Sequence, residues 1–501
     1  MERNEDLNGR MQVQLLDRTQ PLEIAAEFTL PDYRSEISRL LWVRPTLMPP
    51  ERFVGGGKAE FSGRVFFEVL YTGPDGLLYG TELDGGYTFG VPLDGDVEDP
   101  QLFAVPVVDA VISRVTGPRK LSVRCRAHAR VRGYGEKELT LRQKGVPEGA
   151  SPALLCDTVT AGRVIGGGRE EITLTDTAEI EGDVRLVCAR GNVFLPDVHA
   201  AEGEVCCRGE VQITLLLCRE EENSLPFTLA RRIPFEERVA LDGTQSGHHA
   251  CAAGTVGRIE CNVEEGRISL SPTLTLTAQV QYEKPLTLCR DVFLPAHATE
   301  KLTRTEALWQ DGGCCNRHFS ISCERALSEL GIGEDLEIID LISEAEICEK
   351  GQDGARFVLS GKLQCHLLCR RGGELCTTDA AFPFRLSPEL GGELLSVDAR
   401  VCDCRVSVRG DALRADAELQ LALCNPLPLP ATFVSEVSFT PAPARERADM
   451  ELYYPAPTQT LWDVAKHYGI SPEALSAANA IVCDAPDSAD SLAGRSFLFI
   501  P

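Results

Sequence analysis

The stretch Phe61-Ser62-Gly63-Arg64-Val65-Phe66-Phe67-Glu68-Val69-Leu70-Tyr71 decides the fold class of this 501-residue chain. Apolar side chains stand two, four, six and eight positions after Gly63, a period of two that puts Val65, Phe67, Val69 and Tyr71 on one face of a strand. The same order returns in Cys207-Arg208-Gly209-Glu210-Val211-Gln212-Ile213-Thr214-Leu215-Leu216-Leu217. It returns again in Leu359-Ser360-Gly361-Lys362-Leu363-Gln364-Cys365-His366-Leu367-Leu368-Cys369. The three glycines lie 146 and 152 residues apart, a spacing of domains and not of solenoid turns.

The likeness continues beyond the strand. A turn follows each copy, at Gly73-Pro74-Asp75-Gly76, at Glu220 to Ser224 and at Arg371-Gly372-Gly373. An apolar arm then carries Phe89, Phe235 or Phe384, which lie 26, 26 and 23 residues after the glycine. Each copy also holds a second hairpin: Val107 to Val115 with Leu121 to Val131, Gly257 to Val263 with Ile268 to Val280, and Ala399 to Val408 with Leu413 to Leu423. A lone two-stranded hairpin is not stable in water, so four or more strands per copy imply a small sandwich or curved sheet. The expected fold is mainly β: three antiparallel β-sandwich-like repeat domains over 1–150, 151–287 and 288–440, a linker at 441–448, and a βααβ module at 449–501. Short helices are expected within Asp32 to Leu41 and Cys323 to Leu330. Two Pro-rich stretches, Asn425 to Pro430 and Pro441 to Ala444, are expected to bracket a last strand, Thr432 to Phe439.

Composition limits the function. The net charge of −25 argues against nucleic acid and anionic membrane surfaces as partners. No run approaches the roughly 18 apolar residues of a membrane span. The acidic start Met1-Glu2-Arg3-Asn4-Glu5-Asp6 does not read as a secretory signal, so a cytosolic site of synthesis is expected. Of the 20 cysteines many sit in strand patterns, where a reduced thiol acts as a small apolar residue. The clusters Cys314-Cys315 with His318 and Cys323, and Cys402 with Cys404, lack a paired zinc knuckle, and no metal or cofactor is expected. Val54 to Lys58 lacks the spacing and the hydroxyl residue of a phosphate loop. That run and Val164 to Gly168 are expected to be turns. No catalytic motif of known spacing is found, and a non-enzymatic role is expected.

The C-terminal stretch has its own punctuation. Met450, Leu452 and Tyr454 alternate as in a half-buried strand. Thr460 can cap a helix with Leu461, Val464, Ala465 and Tyr468 on one face, and Gly469 stops it. Ser471-Pro472 starts a second helix, and Phe497 and Phe499 alternate into Ile500-Pro501.

On Thr460-Leu461-Trp462, Ala465, Tyr468-Gly469, Leu475, Asn479, Gly494 and Ile500-Pro501, this stretch resembles a LysM module. The resemblance implies recognition of N-acetylglucosamine glycans such as peptidoglycan or chitin, in a groove between its two loops. Here the Gly-Asp usual before the Thr-Leu pair is Thr458-Gln459, and the second loop carries Asp484, Asp487 and Asp490. The repeated Gly-led strands with their Phe arms resemble SPOCS domains, and the domain order resembles spore-coat morphogenetic proteins. That resemblance implies a protein made in the mother-cell cytoplasm and placed at the forespore surface and spore coat. Its LysM part would contact a coat-basement ATPase or another coat protein. The expected partner-binding residues are Thr458, Gln459, Thr460, Leu461, Trp462, Asn479, Ile481, Val482, Cys483 and Asp484. Trp462 also reads as a core residue of the first helix.

Overall fold

The computed structural model describes residues 9–93, 100–219, 225–264, 266–330, 333, 336–353, 356–388, 396–442, 451–481, 485–488, 491–492 and 495–501. The chain is mainly β, built of several antiparallel sheets. The first part runs through β1 (Gly9–Thr29), β2 (Arg39–Leu47), β3 (Glu51–Gly55), β4 (Lys58–Thr72), β5 (Leu78–Pro92), β6 (Gln101–Gly117) and β7 (Lys120–Leu139). Strands β1, β7 and β6 form one sheet. Strand β4 lies between β5 on one side and β2 with β3 on the other to form a second.

After the short β8 (Arg142–Lys144) come β9 (Ala153–Thr173), β10 (Asp176–Glu179), β11 (Val184–Ala201), β12 (Glu204–Arg219), β13 (Phe227–Ala240), β14 (His249–Glu264) and β15 (Arg267–Phe293). They make the sheets β11-β12-β13 and β14-β15 with β9 and β10. The third set is β16 (His297–Ala326), α1 (Leu327–Leu330), β17 (Glu337–Asp353), β18 (Arg356–Arg371), β19 (Glu374–Leu386), β20 (Ser396–Arg409) and β21 (Ala412–Pro441), in sheets β17-β18-β19 and β16-β21-β20. Strand β8 leaves the first set and pairs in parallel with β21 of the third.

The three quoted stretches are β4, β12 and β18, each the middle strand of its sheet. Their inward residues Val65, Phe67, Val69 and Tyr71, then Val211, Ile213, Leu215 and Leu217, then Leu363, Cys365, Leu367 and Cys369 are all at most 1% exposed. Each set joins one hydrophobic core that also takes side chains from the facing sheet, for example Val123 and Cys125, Leu274 and Leu276, and Leu419 and Leu421. The leading glycines have a steric reason. A Cβ on Gly63 would lie 2.3 Å from the Tyr87 ring, and one on Gly361 would lie 2.5 Å from the Phe384 ring. Each ring covers the glycine from the directly opposite position of the neighbouring strand. In the first copy the covering ring is therefore Tyr87, while Phe89 pairs with Phe61.

Several sequence expectations are corrected. Residues 31–38 form turns and β2 begins at Arg39, because the Arg119 guanidinium takes the carbonyls of Pro31, Asp32 and Arg34 and holds the segment open. The helix near Cys323 is confined to Leu327–Leu330, and the residues before it extend β16. Gly166, Gly167 and Gly168 lie within β9, paired with Val280, Gln279 and Ala278. They serve close approach: a Cβ on Gly167 would meet the Phe103 ring at 2.8 Å, and one on Gly168 would meet Val239 at 2.6 Å. The run at Gly56-Gly57 is a tight turn as expected, with both residues at positive φ.

The Pro-rich stretch before Thr432 is strand, not a break. Pro428 and Pro430 pair with Trp309 and Ala307. Strand β20 stops covering β21 at Cys424, so the missing N–H groups fall on an open edge. Strand β15 also runs unbroken through position 287 to Phe293. The turn expected at Glu220 to Ser224, and 443–448 of the expected linker, lie outside the described residues.

The sheet pairs pack on one another. Leu70, Leu216 and Leu368, each seven residues beyond its glycine, are fully buried and share one cluster. Strands β2, β11 and β17 each carry a bulge opposite that leucine, at Leu41, Val187 and Ile339, and these residues join the cluster. Beside it the Arg190 guanidinium reaches both oxygens of Asp340 at 2.5 Å and Glu68 at 3.3 Å, and it lies over the Trp42 ring. Burial works against the charge on Arg190, but the two carboxylates outweigh it and hold the group protonated.

Candidate functional site

The last element group is β22 (Glu451–Tyr453), α2 (Leu461–Tyr468), α3 (Pro472–Ala478) and β23 (Leu498–Ile500), with β22 and β23 antiparallel. The sequence signals act as read. Thr460 caps α2, accepting from the Asp463 N–H, while Asp463 accepts from the Thr460 N–H at 3.0 Å. Gly469, at φ 61°, ends α2, and Ser471 caps α3 ahead of Pro472.

The structure divides the expected binding residues into three groups. Leu461 and Trp462 are 1% and 3% exposed, so their side chains present no surface to a partner. They pack with Val464, Leu498, Ile500 and, from the β body, Leu155 and Phe293. The Trp462 ring meets Phe293 edge-on at 4.9 Å, and its N–H donates to Asp291 at 2.9 Å. Asp291 also accepts from Lys301 at 2.5 Å and from Lys466 at 2.6 Å. Burial alone would raise the Asp291 carboxyl; these donors outweigh it and bring it down to about 2.

The second group organises the loops. Gln459 accepts from the Tyr453 hydroxyl and the Ala456 N–H. Asn479 donates to the carbonyls of Leu475 and Phe499 and accepts from the Phe499 N–H, which ties α3 to β23. The backbone N–H groups of Leu461 and Trp462 donate to Ser491 Oγ and the Pro486 carbonyl. The two loops expected to line a groove are thus hydrogen-bonded to each other at the start of α2. Thr458 is exposed and Ile481 is half-buried. Val482, Cys483 and Asp484 form the third group and lie outside the described residues.

One surface was misread from the sequence. The alternation in β22 is real, but its facing is reversed: Leu452 is 43% and Tyr454 69% exposed, while Tyr453 packs inward. Across the ribbon Phe499 pairs with Leu452, and the Phe497 ring lies 6.4 Å from that of Tyr454. These four side chains make an apolar, aromatic patch on the face away from the helices. The signal for it was present, since Tyr453, Leu498 and Ile500 supply a second apolar set of opposite parity.

A cleft of about 500 Å³ lies between the first and second sheet pairs, with Met48, Phe66, Arg64, Arg169, Arg258 and Glu171 on its walls. Its charges are largely engaged. Arg258 bonds Glu82 and Asp84, Arg169 donates to the Pro49 carbonyl, and Arg64 lies over the Phe66 ring. His318, from the expected cysteine cluster, faces the Leu195 carbonyl and the Phe194 ring. Among the described residues no group of three or more His, Cys, Asp or Glu side chains is placed to hold a metal ion. Also among them, no helix is long and apolar enough to cross a membrane. Compared with known proteins, the chain matches no family, no curated protein and no solved structure.

Proposed function

We propose that this chain is a non-enzymatic assembly scaffold of the spore-coat morphogenetic type. In this reading the three sheet pairs are three copies of one SPOCS-like β unit. The terminal module is LysM-like and docks the assembly on a coat-basement protein at the forespore surface, such as the coat-basement ATPase. The observation that carries the reading is the exposed ribbon of Leu452, Tyr454, Phe497 and Phe499, on a module joined to the β body by contacts that include Trp462 with Asp291. Exposed aromatic and aliphatic side chains gathered in one patch are suited to bury against a protein surface. The union of the two loops at Leu461 and Trp462 supports a protein ligand over a glycan laid between them.

A glycan-binding reading, with peptidoglycan or N-acetylglucosamine oligomers as ligand, is favoured by one feature. Tyr454 and Phe497 are aromatic, exposed and adjacent, as stacking on sugar rings requires. The test uses the full-length chain against the purified coat-basement ATPase and, separately, against chitin oligomers. The scaffold reading expects ATPase binding that weakens at least tenfold in Tyr454→Ala and Phe497→Ala. Oligomer binding without ATPase binding overturns it.

A further inference from the structure

Two pairs of thiols face each other across neighbouring strands. Cys369 of β18 and Cys376 of β19 are directly opposite in register, with their sulfurs 3.4 Å apart. Cys289 of β15 and Cys156 of β9 are also directly opposite, and their thiols are hydrogen-bonded. Directly opposed residues of an antiparallel ladder have Cα atoms about 4.5–5.5 Å apart, inside the span of about 4.4–6.8 Å that a disulfide bridges. In each pair one thiol is enclosed, at 0% for Cys369 and 3% for Cys289. The other reaches solvent: Cys376 is half-buried and Cys156 exposed.

We infer that Cys369–Cys376 and Cys156–Cys289 are sites of reversible disulfide closure by a low-molecular-weight disulfide. The outer thiolate attacks one sulfur of the small disulfide, forming a mixed disulfide and expelling one small thiolate. The inner thiol loses its proton to solvent and attacks the outer cysteine sulfur, closing the bridge and expelling the second small thiolate. Two protein thiols are oxidised and one small disulfide is reduced to two thiols. Burial pushes the Cys369 thiol up to about 12, which makes its attack the slow step. Donation of its S–H to Cys156, with burial, likewise raises the Cys289 thiol. The two bridges differ in reach. Cys369–Cys376 staples a hairpin, whereas Cys156–Cys289 joins strands distant in sequence, two residues from the Asp291 that holds the terminal module.

The test incubates the folded full-length chain with a graded series of oxidised to reduced glutathione. The chain is then alkylated and digested with trypsin without reduction. The expected products are the peptide ending at Arg370 joined to Gly372–Arg385, and Gly145–Arg163 joined to Ile268–Arg290. Because Cys365 shares a peptide with Cys369, Cys365→Ser must retain the first product and Cys376→Ser must abolish it. Cys156→Ser must abolish the second. The inference is overturned if Cys156 and Cys376 end as glutathione adducts beside alkylated Cys289 and Cys369. It is equally overturned if the bridges form only in urea, or if all four thiols remain alkylated at the most oxidising ratio.

Discussion

Asp291 gathers three donors at the attachment of the terminal module, beside the separate ion pair of Arg290 with Asp487. It is 17% exposed and accepts from Trp462, Lys466 and Lys301. Its folded value of about 2 lies below the ordinary aspartate range, so the folded state binds its proton less readily than the unfolded chain. The stabilisation is therefore fully present above about pH 4 and is lost as pH falls toward 2. Asp291→Asn keeps an acceptor for the Trp462 N–H but removes the charge that holds two lysines. It should cost about 1–3 kcal/mol at neutral pH and remove the Asp291 share of the acid sensitivity between pH 4 and 2. Acid titration followed by tryptophan fluorescence, in the wild type and the variant, reads both effects. An unchanged acid profile would place the attachment elsewhere.

At the scale of elements, the glycines leading β4 and β18 set how closely the neighbouring strand's ring can lie. Gly361→Ala places a methyl 2.5 Å from the Phe384 ring and 2.4 Å from the Glu346 carbonyl, and the backbone atom cannot rotate away. The substitution should destabilise by about 1–3 kcal/mol, the usual range for overpacking. Gly86→Ala, whose nearest neighbour would be the Gly63 carbonyl at 3.6 Å, serves as the tolerated control. Urea midpoints for the two variants make the comparison, and equal midpoints would show that the ring's cover does not demand glycine. The ribbon of β22 and β23 shows where alternation is ambiguous. Both parities of a short strand can be apolar, and only packing tells which one the helices cover.

The whole molecule is held together where its sheet pairs meet. Leu70, Leu216 and Leu368 are fully enclosed although they lie on the faces of β4, β12 and β18 turned away from the sheet-pair cores. Leu216→Ala and Leu368→Ala should each cost about 2–5 kcal/mol, as for other fully buried leucines. Because both side chains line one cluster, their costs should not add, with a coupling of about 0.5–3 kcal/mol. Equilibrium unfolding of the two single variants and the double variant gives the coupling. Strict additivity would mean that the sheet pairs are energetically independent.

Much of the fold was legible in the amino-acid order. A period of two is set by backbone geometry, so Val65 to Tyr71 and their counterparts declared strands and an inward face. Turn residues such as Gly56-Gly57 marked hairpins, and Thr460, Gly469 and Ser471-Pro472 marked helix ends through local hydrogen bonding. These are short-range effects, decided by each residue and its near neighbours. The extent of β15 and β21, the strand conformation of Gly166 to Gly168, and the loss of a helix near Asp32 depended on partners more than a hundred residues away or on guanidinium contacts from another strand. The candidate site divided along the same line. The order of strands and helices in the terminal module was readable from its caps, and the apolar face with Leu461 and the core reading of Trp462 from its helical period, but their partners Asp291 and Phe293 were not, because these belong to a different sheet. By itself the sequence determined where strand and helix periods run and which residues can turn. Only the tertiary structure decided which apolar faces meet, because burial is a property of pairs of surfaces and no single segment contains both.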